Sequence, residues 1–234
     1  MAHRTRRPMG DDGYPGARLQ RPSNGDQVAE HLRGLIFQGR LQQGDHVRQD
    51  EIAAELGVSR IPVREALIAL EAEGWISIEP HRGAFVQGLD ERTIVDHYAL
   101  IGTLYGLVAR RAAERADADG LDRLAELQRQ AAAARDVDEF YRRNDLFLRQ
   151  MFNLADSTRL KAVSRQLGNL VPGNFFAEVA GSRTAQKKAL ADIARALRER
   201  DGEAAAARFG ELMDRHGAAV VKLWRKQAAA RVPA

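Results

Sequence analysis

The segment Glu51–Leu70, EIAAELGVSRIPVREALIAL, decides how the first part of the chain is interpreted. Its pattern predicts a helix, a tight turn at Gly57-Val58, and a second helix that carries Arg60 and Arg64 one turn apart on one face. The apolar residues of the second helix lie on the opposite face, so this helix has one buried apolar face and one exposed cationic face. That combination suits the major groove of DNA. The alternative is an ordinary helical hairpin whose arginine face is merely solvated.

Composition and charge narrow the class of protein. The chain has 234 residues, of which 44% are apolar and 29% charged, which is enough for two modest globular domains. It contains no cysteine, which excludes disulfides, thiolate metal sites and a cysteine nucleophile. No apolar run approaches the length of a membrane span, and the N-terminus lacks the apolar segment of a secretory signal. We therefore expect a cytoplasmic protein with no membrane partner.

The charge is unevenly distributed. Residues 1–23 are rich in Arg, Gly and Pro, which predicts a disordered basic tail. The whole chain carries a net charge of +4, but residues 21–89 hold seven Arg against ten Asp and Glu, a balance of −3. If this segment binds DNA, it does so through the placement of its cations and not through their sum.

Residues 24–88 are predicted to form a winged helix-turn-helix with three helices and a β-hairpin. The first helix is expected at about 26–37. Asp50 is expected to cap the second helix and Ser59 the third, with Pro62 in the first turn of the third. The wing is predicted from two alternating segments and the turn between them: Trp75–Ile78, Ala84–Val86 and Glu79–Gly83.

The remainder, residues 90–230, is predicted to be an all-α bundle of six to seven helices, so the fold class is mainly α. Paired turn residues mark the breaks between its periodic segments. These segments cover residues 91–115, 118–134, 137–155, 158–170, 183–200 and 203–228.

The candidate DNA-binding residues follow from this arrangement. In a helix-turn-helix, the start of the second helix reaches base edges and flanking groups hold phosphates. Arg60 and Arg64 can each span guanine O6 and N7 with two hydrogen bonds. Ser59 and Arg48 are the candidate phosphate contacts. The tip of the wing supplies candidates for the minor groove, with a solvated loop charge as the alternative for the arginine: His81, Arg82 and Gly83.

The stretch Val28–Val86 resembles the winged helix-turn-helix of the GntR family of bacterial transcription regulators. The resemblance rests on GLIFQGRLQQGDHV, EIAAELGVSRIPVREALIALEAEGWI and EPHRGAFV. The helical remainder is similar to the FCD effector domain of the FadR-type branch. The resemblance implies a homodimer, expected to be a repressor, that binds palindromic double-stranded operator DNA and responds to a small metabolite. Ile61 stands where the family usually has Thr, so a hydroxyl contact to DNA is lost.

FCD domains commonly hold a metal ion with an Asp or Asn, a His one turn later and two further His. Asn144 matches the first ligand, but Leu148 stands at the expected His and Leu190 falls closest to the next one. His216 resembles the last ligand. Zinc takes four ligands, commonly three or more from protein, so we predict no bound metal and no cofactor. We expect His216 to be a hydrogen-bonded interior histidine.

Many FCD domains also carry an Arg and a Glu four residues apart in their first helix, and the Arg engages the carboxylate of the effector. The matching positions here are Ile101 and Tyr105. We therefore expect a less acidic, more apolar effector, with Tyr98, Tyr105, Asn144 and His216 as its polar contacts. The alternative is a filled pocket in a domain that only dimerises.

The sequence argues against two other classes of protein. An enzyme is not predicted, because the chain lacks a Walker loop, a Gly-x-Ser-x-Gly elbow and any cysteine; a metal-dependent enzyme of helical-bundle type is the remote alternative. An architectural DNA-binding protein without sequence preference would depend on phosphate contacts. The acidic balance of the first domain counts against it.

Overall fold

The computed structural model describes residues 23–168 and 170–229 and begins with a winged helix-turn-helix. Its elements are α1 (Asn24–Phe37), β1 (His46–Val47), α2 (Gln49–Leu56), α3 (Arg60–Ala72), β2 (Ile76–Glu79) and β3 (Gly83–Val86). The predicted basic tail, residues 1–23, lies outside the described residues apart from Ser23. The three helices and the wing predicted from the sequence are confirmed.

Two helix starts differ from the prediction. Helix α1 begins at Asn24 because Ser23 and Asp26 form a capping box, in which the side chain of each accepts a hydrogen bond from the backbone N–H of the other at 3.0 Å. The prediction that Asp50 caps α2 is wrong, because Arg48 occupies the N-cap position and Asp50 lies in the first turn. A carboxylate in the first turn still interacts favourably with the positive end of the helix dipole.

The wing belongs to a three-stranded sheet and not to an isolated hairpin. The strand order is β1-β3-β2, and both pairings are antiparallel. His46 of β1 pairs with Phe85 of β3, and Glu79 of β2 pairs with Gly83 of β3. Strand β1 was not predicted because two residues are too few to show alternation. Its pairing fixes the wing to the segment that leads into α2.

The second domain contains seven helices among the described residues, in agreement with the six to seven predicted. They are α4 (Glu91–Arg115), α5 (Ala118–Ala133), α6 (Val137–Leu154), α7 (Thr158–Leu167), α8 (Phe175–Glu178), α9 (Ser182–Arg198) and α10 (Gly202–Ala229). Helix α7 ends earlier than the predicted residue 170, and α8 was not predicted because a single turn shows no helical period.

Two buried apolar clusters hold the molecule together. The first contains Leu67 and Trp75 from the winged unit together with Tyr98 and Val220 from the helical domain, so the two domains share one continuous core. The second lies inside the bundle around Phe140 and its neighbours. None of the described helices combines the length and the apolar character that a membrane crossing requires.

Candidate functional site

The turn between α2 and α3 presents the start of α3 to solvent. Gly57 ends α2 in the left-handed conformation, with φ of 64°, which glycine adopts without steric cost. Ser59 occupies the N-cap position of α3 as predicted, but its side chain makes no capping hydrogen bond. Pro62 lies in the first turn, where a missing N–H has no cost. The Ser59 hydroxyl and the first N–H groups of α3 are therefore free to meet an anion.

Acidic side chains accompany three of the predicted DNA-binding arginines. Arg60 Nε lies 2.6 Å from Asp50 Oδ1, and an Arg48 Nη lies 2.8 Å from a Glu51 carboxylate oxygen. The pKa of Arg48 is raised by its hydrogen bond to Glu51 and by the opposite charge. Arg82 pairs with Glu79 in the same way. All three pairs are exposed, and exposed pairs of this kind contribute little to stability. A phosphate or a base can therefore displace these carboxylates at small cost.

Arg64 differs from the other three arginines. Its side chain forms no ion pair or hydrogen bond with any residue in the described part of the chain. It is exposed and follows Arg60 by four residues on α3, so the two guanidinium groups share one face. The structure thus brings Ser59, Arg60 and Arg64 together at the start of α3. Arg48 precedes α2 and lies outside this helix.

The tip of the wing has a fixed backbone. His81 has φ of 62° and Gly83 has φ of 101°. A Cβ on Gly83 would lie 2.3 Å from His46 Nε2, and the His46 ring packs on Phe85 with centroids 5.0 Å apart. The positive φ of Gly83 therefore favours glycine at this position, and the close approach of His46 within the sheet adds to that preference before any approach to DNA. The guanidinium carbon of Arg82 lies 5.4 Å from the centre of the Phe85 ring, which helps to hold the arginine at the tip.

The helical domain contains a cavity of about 200 Å³. All four residues predicted to contact an effector line it: Tyr98, Tyr105, Asn144 and His216. They come from three different helices, α4, α6 and α10. Leu170, Val171 and Phe175 add an apolar wall. The sequence prediction therefore selected side chains that the fold brings to one place.

Gln186 also lines the cavity and was not predicted. Its Nε2 donates a hydrogen bond to Asn144 Oδ1 at 2.8 Å, and the two side chains are only 3% and 8% exposed. Leu190, the residue nearest to the expected metal ligand, lies one turn after Gln186 and is fully buried in the bundle core. A glutamine on the apolar face of α9, in line with Leu190 and Ile193, is the sequence signal that could have found it.

His216 is the least satisfied polar group of the cavity wall. It is 4% exposed, and its Nε2 has no hydrogen-bond partner among the described residues. Burial lowers the pKa of His216 to about 4, although a backbone hydrogen bond with Ser182 acts in the opposite direction. Near neutral pH the imidazole is therefore uncharged, with one ring nitrogen left to pair with something else.

The two tyrosines keep the cavity neutral. Burial raises the pKa of Tyr105 to about 12, with a smaller contribution from the Asp145 carboxylate, and it raises the pKa of Tyr98 further above its ordinary value. Asp145 also lines the cavity, and its carboxylate lies 2.6 Å from Arg149 Nε. The cavity therefore offers neutral hydrogen-bonding groups in an apolar wall.

The residues present do not fit a metal ion. The Asn144 oxygen accepts from Gln186, and Leu148 lines the cavity one turn later on α6. His216 is one imidazole, whereas a zinc site commonly takes three or more protein ligands. Across residues 23–168 and 170–229, no group of three or more His, Cys, Asp or Glu side chains is placed to hold a metal.

A second cavity of about 530 Å³ adjoins the first and shares Tyr105, Asp145 and Leu148 with it. Three cations line it that the sequence analysis did not single out: Arg149, Lys161 and Arg165. Arg149 is paired with Asp145, and Lys161 Nζ donates to Asn153 Oδ1 at 2.9 Å. The cations therefore line the second cavity, whereas His216 and Gln186 line only the first.

The loop that walls the first cavity also contacts the winged unit. Leu170 and Val171 line the cavity, and the N–H of Gly173 donates to Glu30 Oε1 of α1 at 2.7 Å. Arg33 of α1 pairs with Glu30 and also with Glu73, the C-cap residue that follows α3. Both Arg33 Nε and one Nη lie 2.8 Å from the Glu73 carboxylate. The wall of the cavity is therefore connected to both α1 and α3.

Comparison with known proteins agrees with these two units. Residues 24–86 match the gntR family of bacterial regulatory proteins, and residues 96–216 match the FCD domain. An uncharacterized HTH-type transcriptional regulator of Mycobacterium tuberculosis is 35% identical over 182 residues, which cover 78% of this chain and 75% of that protein. The gluconate operon transcriptional repressor of Bacillus subtilis is 32% identical over 158 residues, which cover 66% of this chain and 64% of that protein.

A comparison with a solved structure supports the same family. The crystal structure of a GntR family transcriptional regulator from Pseudomonas syringae is 29% identical and superposes with a TM-score of 0.52 over 89% of each chain. GntR regulators bind DNA and commonly act as dimers. With both domains matched in order along one chain, this protein belongs to the GntR family of DNA-binding transcriptional regulators and carries an FCD domain.

Proposed function

We propose that the chain is a sequence-specific repressor that binds a palindromic operator as a homodimer and is controlled by a small molecule in the helical domain. The observation that carries the DNA half is the exposed start of α3, where Arg64 has no internal partner within the described residues and Arg60 is held only by an exposed aspartate. Two such helices in a dimer would enter successive major grooves about 34 Å apart.

Each candidate residue has a role in this proposal. Arg60 and Arg64 read guanine edges, since each guanidinium can donate two hydrogen bonds to O6 and N7. Ser59 and Arg48 hold phosphates and set the register of the protein on the duplex. The wing tip enters the minor groove with three residues: His81, Arg82 and Gly83.

The effector half of the proposal rests on His216 and the Asn144–Gln186 pair. We propose a ligand that has a hydrogen-bonding group next to an apolar portion. The hydrogen-bonding group would pair with the free ring nitrogen of His216, and the apolar portion would be buried against Phe175 and its neighbours. We propose a neutral or weakly acidic molecule without a metal. The competing proposal is a ligand with an acidic group at one end, which the cations of the adjoining second cavity would bind.

In this proposal, the loop that contains Leu170, Val171 and Gly173 couples the cavity to the DNA-binding domain. A ligand that favours one position of Leu170 and Val171 also favours one position of Gly173 against Glu30, and hence of α1 and α3. Effector and operator then influence each other by the same free energy in both directions.

A second candidate is a DNA-binding regulator whose helical domain only dimerises. The small size of the first cavity, about 200 Å³, favours it, because ligand pockets commonly exceed about 300 Å³. Differential scanning of the full chain against neutral and acidic metabolites separates the two. A compound that raises the melting temperature and shifts DNA affinity supports an effector, whereas a panel without effect supports the second candidate.

The DNA half is tested by selection of duplexes from a random-sequence library with the full chain. Enrichment of a palindrome, together with a solution mass of two chains, is the expected result. Uniform retention of all sequences would instead favour an architectural protein. Stabilisation by zinc that a chelator reverses would contradict the metal-free proposal.

A further inference from the structure

Two large apolar side chains occupy the centre of the exposed face of α3. Ile61 is 70% exposed and Ile68 is 53% exposed. Seven residues apart, they lie within about 20° of each other around the helix. The buried residues of α3 lie on the opposite side: Pro62, Val63, Ala66, Leu67 and Leu70. The two isoleucines therefore form a short apolar stripe that points away from the core of the protein.

The stability of the fold does not explain why an isoleucine occupies the exposed position 61. A β-branched side chain loses rotamer freedom in a helix, and an exposed one gains no burial in return. Scattered exposed apolar residues are common on protein surfaces. Ile61, however, lies in the first turn of α3, where Arg60 precedes it and Arg64 lies one turn later on the adjoining part of the exposed face. Glu65, the acidic residue one turn after Ile61, packs beside Gly25 at the start of α1. Its surroundings are those of the proposed groove-reading surface.

The charged residues near Ile61 indicate what kind of surface this side chain contacts. An exposed apolar side chain on a helix start that also presents Arg60 and Arg64 fits a surface that is anionic overall and carries a small apolar group. The major groove of DNA has this character at one base pair only, where the 5-methyl group of thymine projects into the groove. A second protein surface would need acidic groups placed on both sides of an apolar pocket.

We infer that Ile61 is a specificity-determining residue that packs on the 5-methyl group of a thymine beside the base pairs read by Arg60 and Arg64. This inference rests on the proposed sequence-specific binding of DNA. Ile68 lies about 10 Å further along the helix axis and outside the base-reading turn, so it makes no equivalent contact.

Deoxyuridine tests the contact directly, because it lacks only the methyl group of thymine and keeps its base pairing. The probe is the duplex enriched from the random library by the full chain, in which each thymine is replaced in turn by deoxyuridine. One position in each half-site should lose affinity by about fourfold, the effect of exposing one methyl-sized apolar group. The other thymines should tolerate the replacement.

Three variants assign the effect to Ile61. Ile61→Ser should bind the thymine and deoxyuridine duplexes equally, while Ile61→Val, which keeps branched methyl groups, should retain most of the discrimination. Ile68→Ser is the matched control on the same face and should keep the full fourfold difference. Because both positions are exposed, the melting temperatures of all three variants should match that of the parent chain.

The possible outcomes of these experiments distinguish this inference from the proposed sequence-specific DNA binding on which it rests. An enriched duplex whose thymines all tolerate deoxyuridine, or sensitivity that persists in Ile61→Ser, overturns the methyl contact and leaves sequence-specific binding intact. Failure to enrich any sequence overturns both. A solution mass that falls to one chain in Ile61→Ser and in Ile68→Ser, without DNA, would assign the stripe to a protein interface and also overturn the inference.

Discussion

The backbone N–H of Gly173 donates a hydrogen bond of 2.7 Å to Glu30 Oε1, and this bond joins the wall of the cavity to the DNA-binding domain. Glu30 lies on α1, and Gly173 closes the loop whose Leu170 and Val171 line the cavity. Any change in the cavity that displaces this loop therefore reaches the winged unit through an identifiable contact.

Replacing Glu30 tests this contact without knowledge of a ligand. In Glu30→Ala the amide of Gly173 should exchange with solvent about fivefold faster, because a net hydrogen bond contributes about 1 kcal/mol. Hydrogen exchange followed by NMR or mass spectrometry measures it. Glu126→Ala is the control, since Glu126 also forms an exposed i,i+3 pair with an arginine but lies away from the loop. Unchanged exchange at Gly173 in Glu30→Ala would show that the bond does not persist in solution.

The two kinds of DNA contact should respond differently to substitution. Arg64→Ala should remove discrimination at one base pair of each half-site, by about 1–3 kcal/mol, because it deletes a bidentate base contact. Arg48→Ala should weaken all sequences alike and reduce the salt slope of binding by about 1, because it deletes a phosphate contact. Titration of the enriched duplex and its point variants at several salt concentrations measures both. Retained base preference in Arg64→Ala would show that the groove assignment is wrong.

The sequence was informative where function depends on spacing along one helix. Arg60 and Arg64 were predictable because four residues separate them, and their exposed face follows from the apolar face behind it. The carboxylate on Arg60 was not, because Asp50 reaches it only through the packing of α2 against α3. Gln186 was missed for a related reason: its partner, Asn144, is distant in the sequence, and only the packing of α6 and α9 brings them together.

Asp50 restrains Arg60, and its removal should strengthen DNA binding. Asp50→Asn removes both the ion pair with Arg60 and a negative charge beside the proposed phosphate path. At low salt the affinity for DNA should rise about fivefold, and the gain should shrink as salt rises because the interaction is exposed. Asp122→Asn removes an equally exposed aspartate that pairs with Arg198 in the helical domain, and it should change nothing. Weaker binding by Asp50→Asn would mean that the aspartate positions Arg60 for the base.

The stability of the protein should fall as the pH is lowered through the range in which an ordinary histidine gains its proton. Burial lowers the pKa of His216 to about 4, and it lowers that of His97 to a similar value. In the unfolded chain both titrate near 6.5, so the unfolded state binds protons first and is stabilised relative to the native state between about pH 6.5 and pH 4. Tyr98 and Asp145 line the same cavity, but Asp145 is already paired with Arg149.

For His216 alone this linkage amounts to about 2 kcal/mol between pH 7.5 and pH 5. Urea unfolding at a series of pH values measures it as the change in the free energy of unfolding. In His216→Gln the loss of stability over this range should shrink by about that amount, while the contribution of His97 remains. Equal pH dependence in the parent chain and in His216→Gln would show that His216 is solvated in the native state and is not the buried, neutral group of the cavity wall.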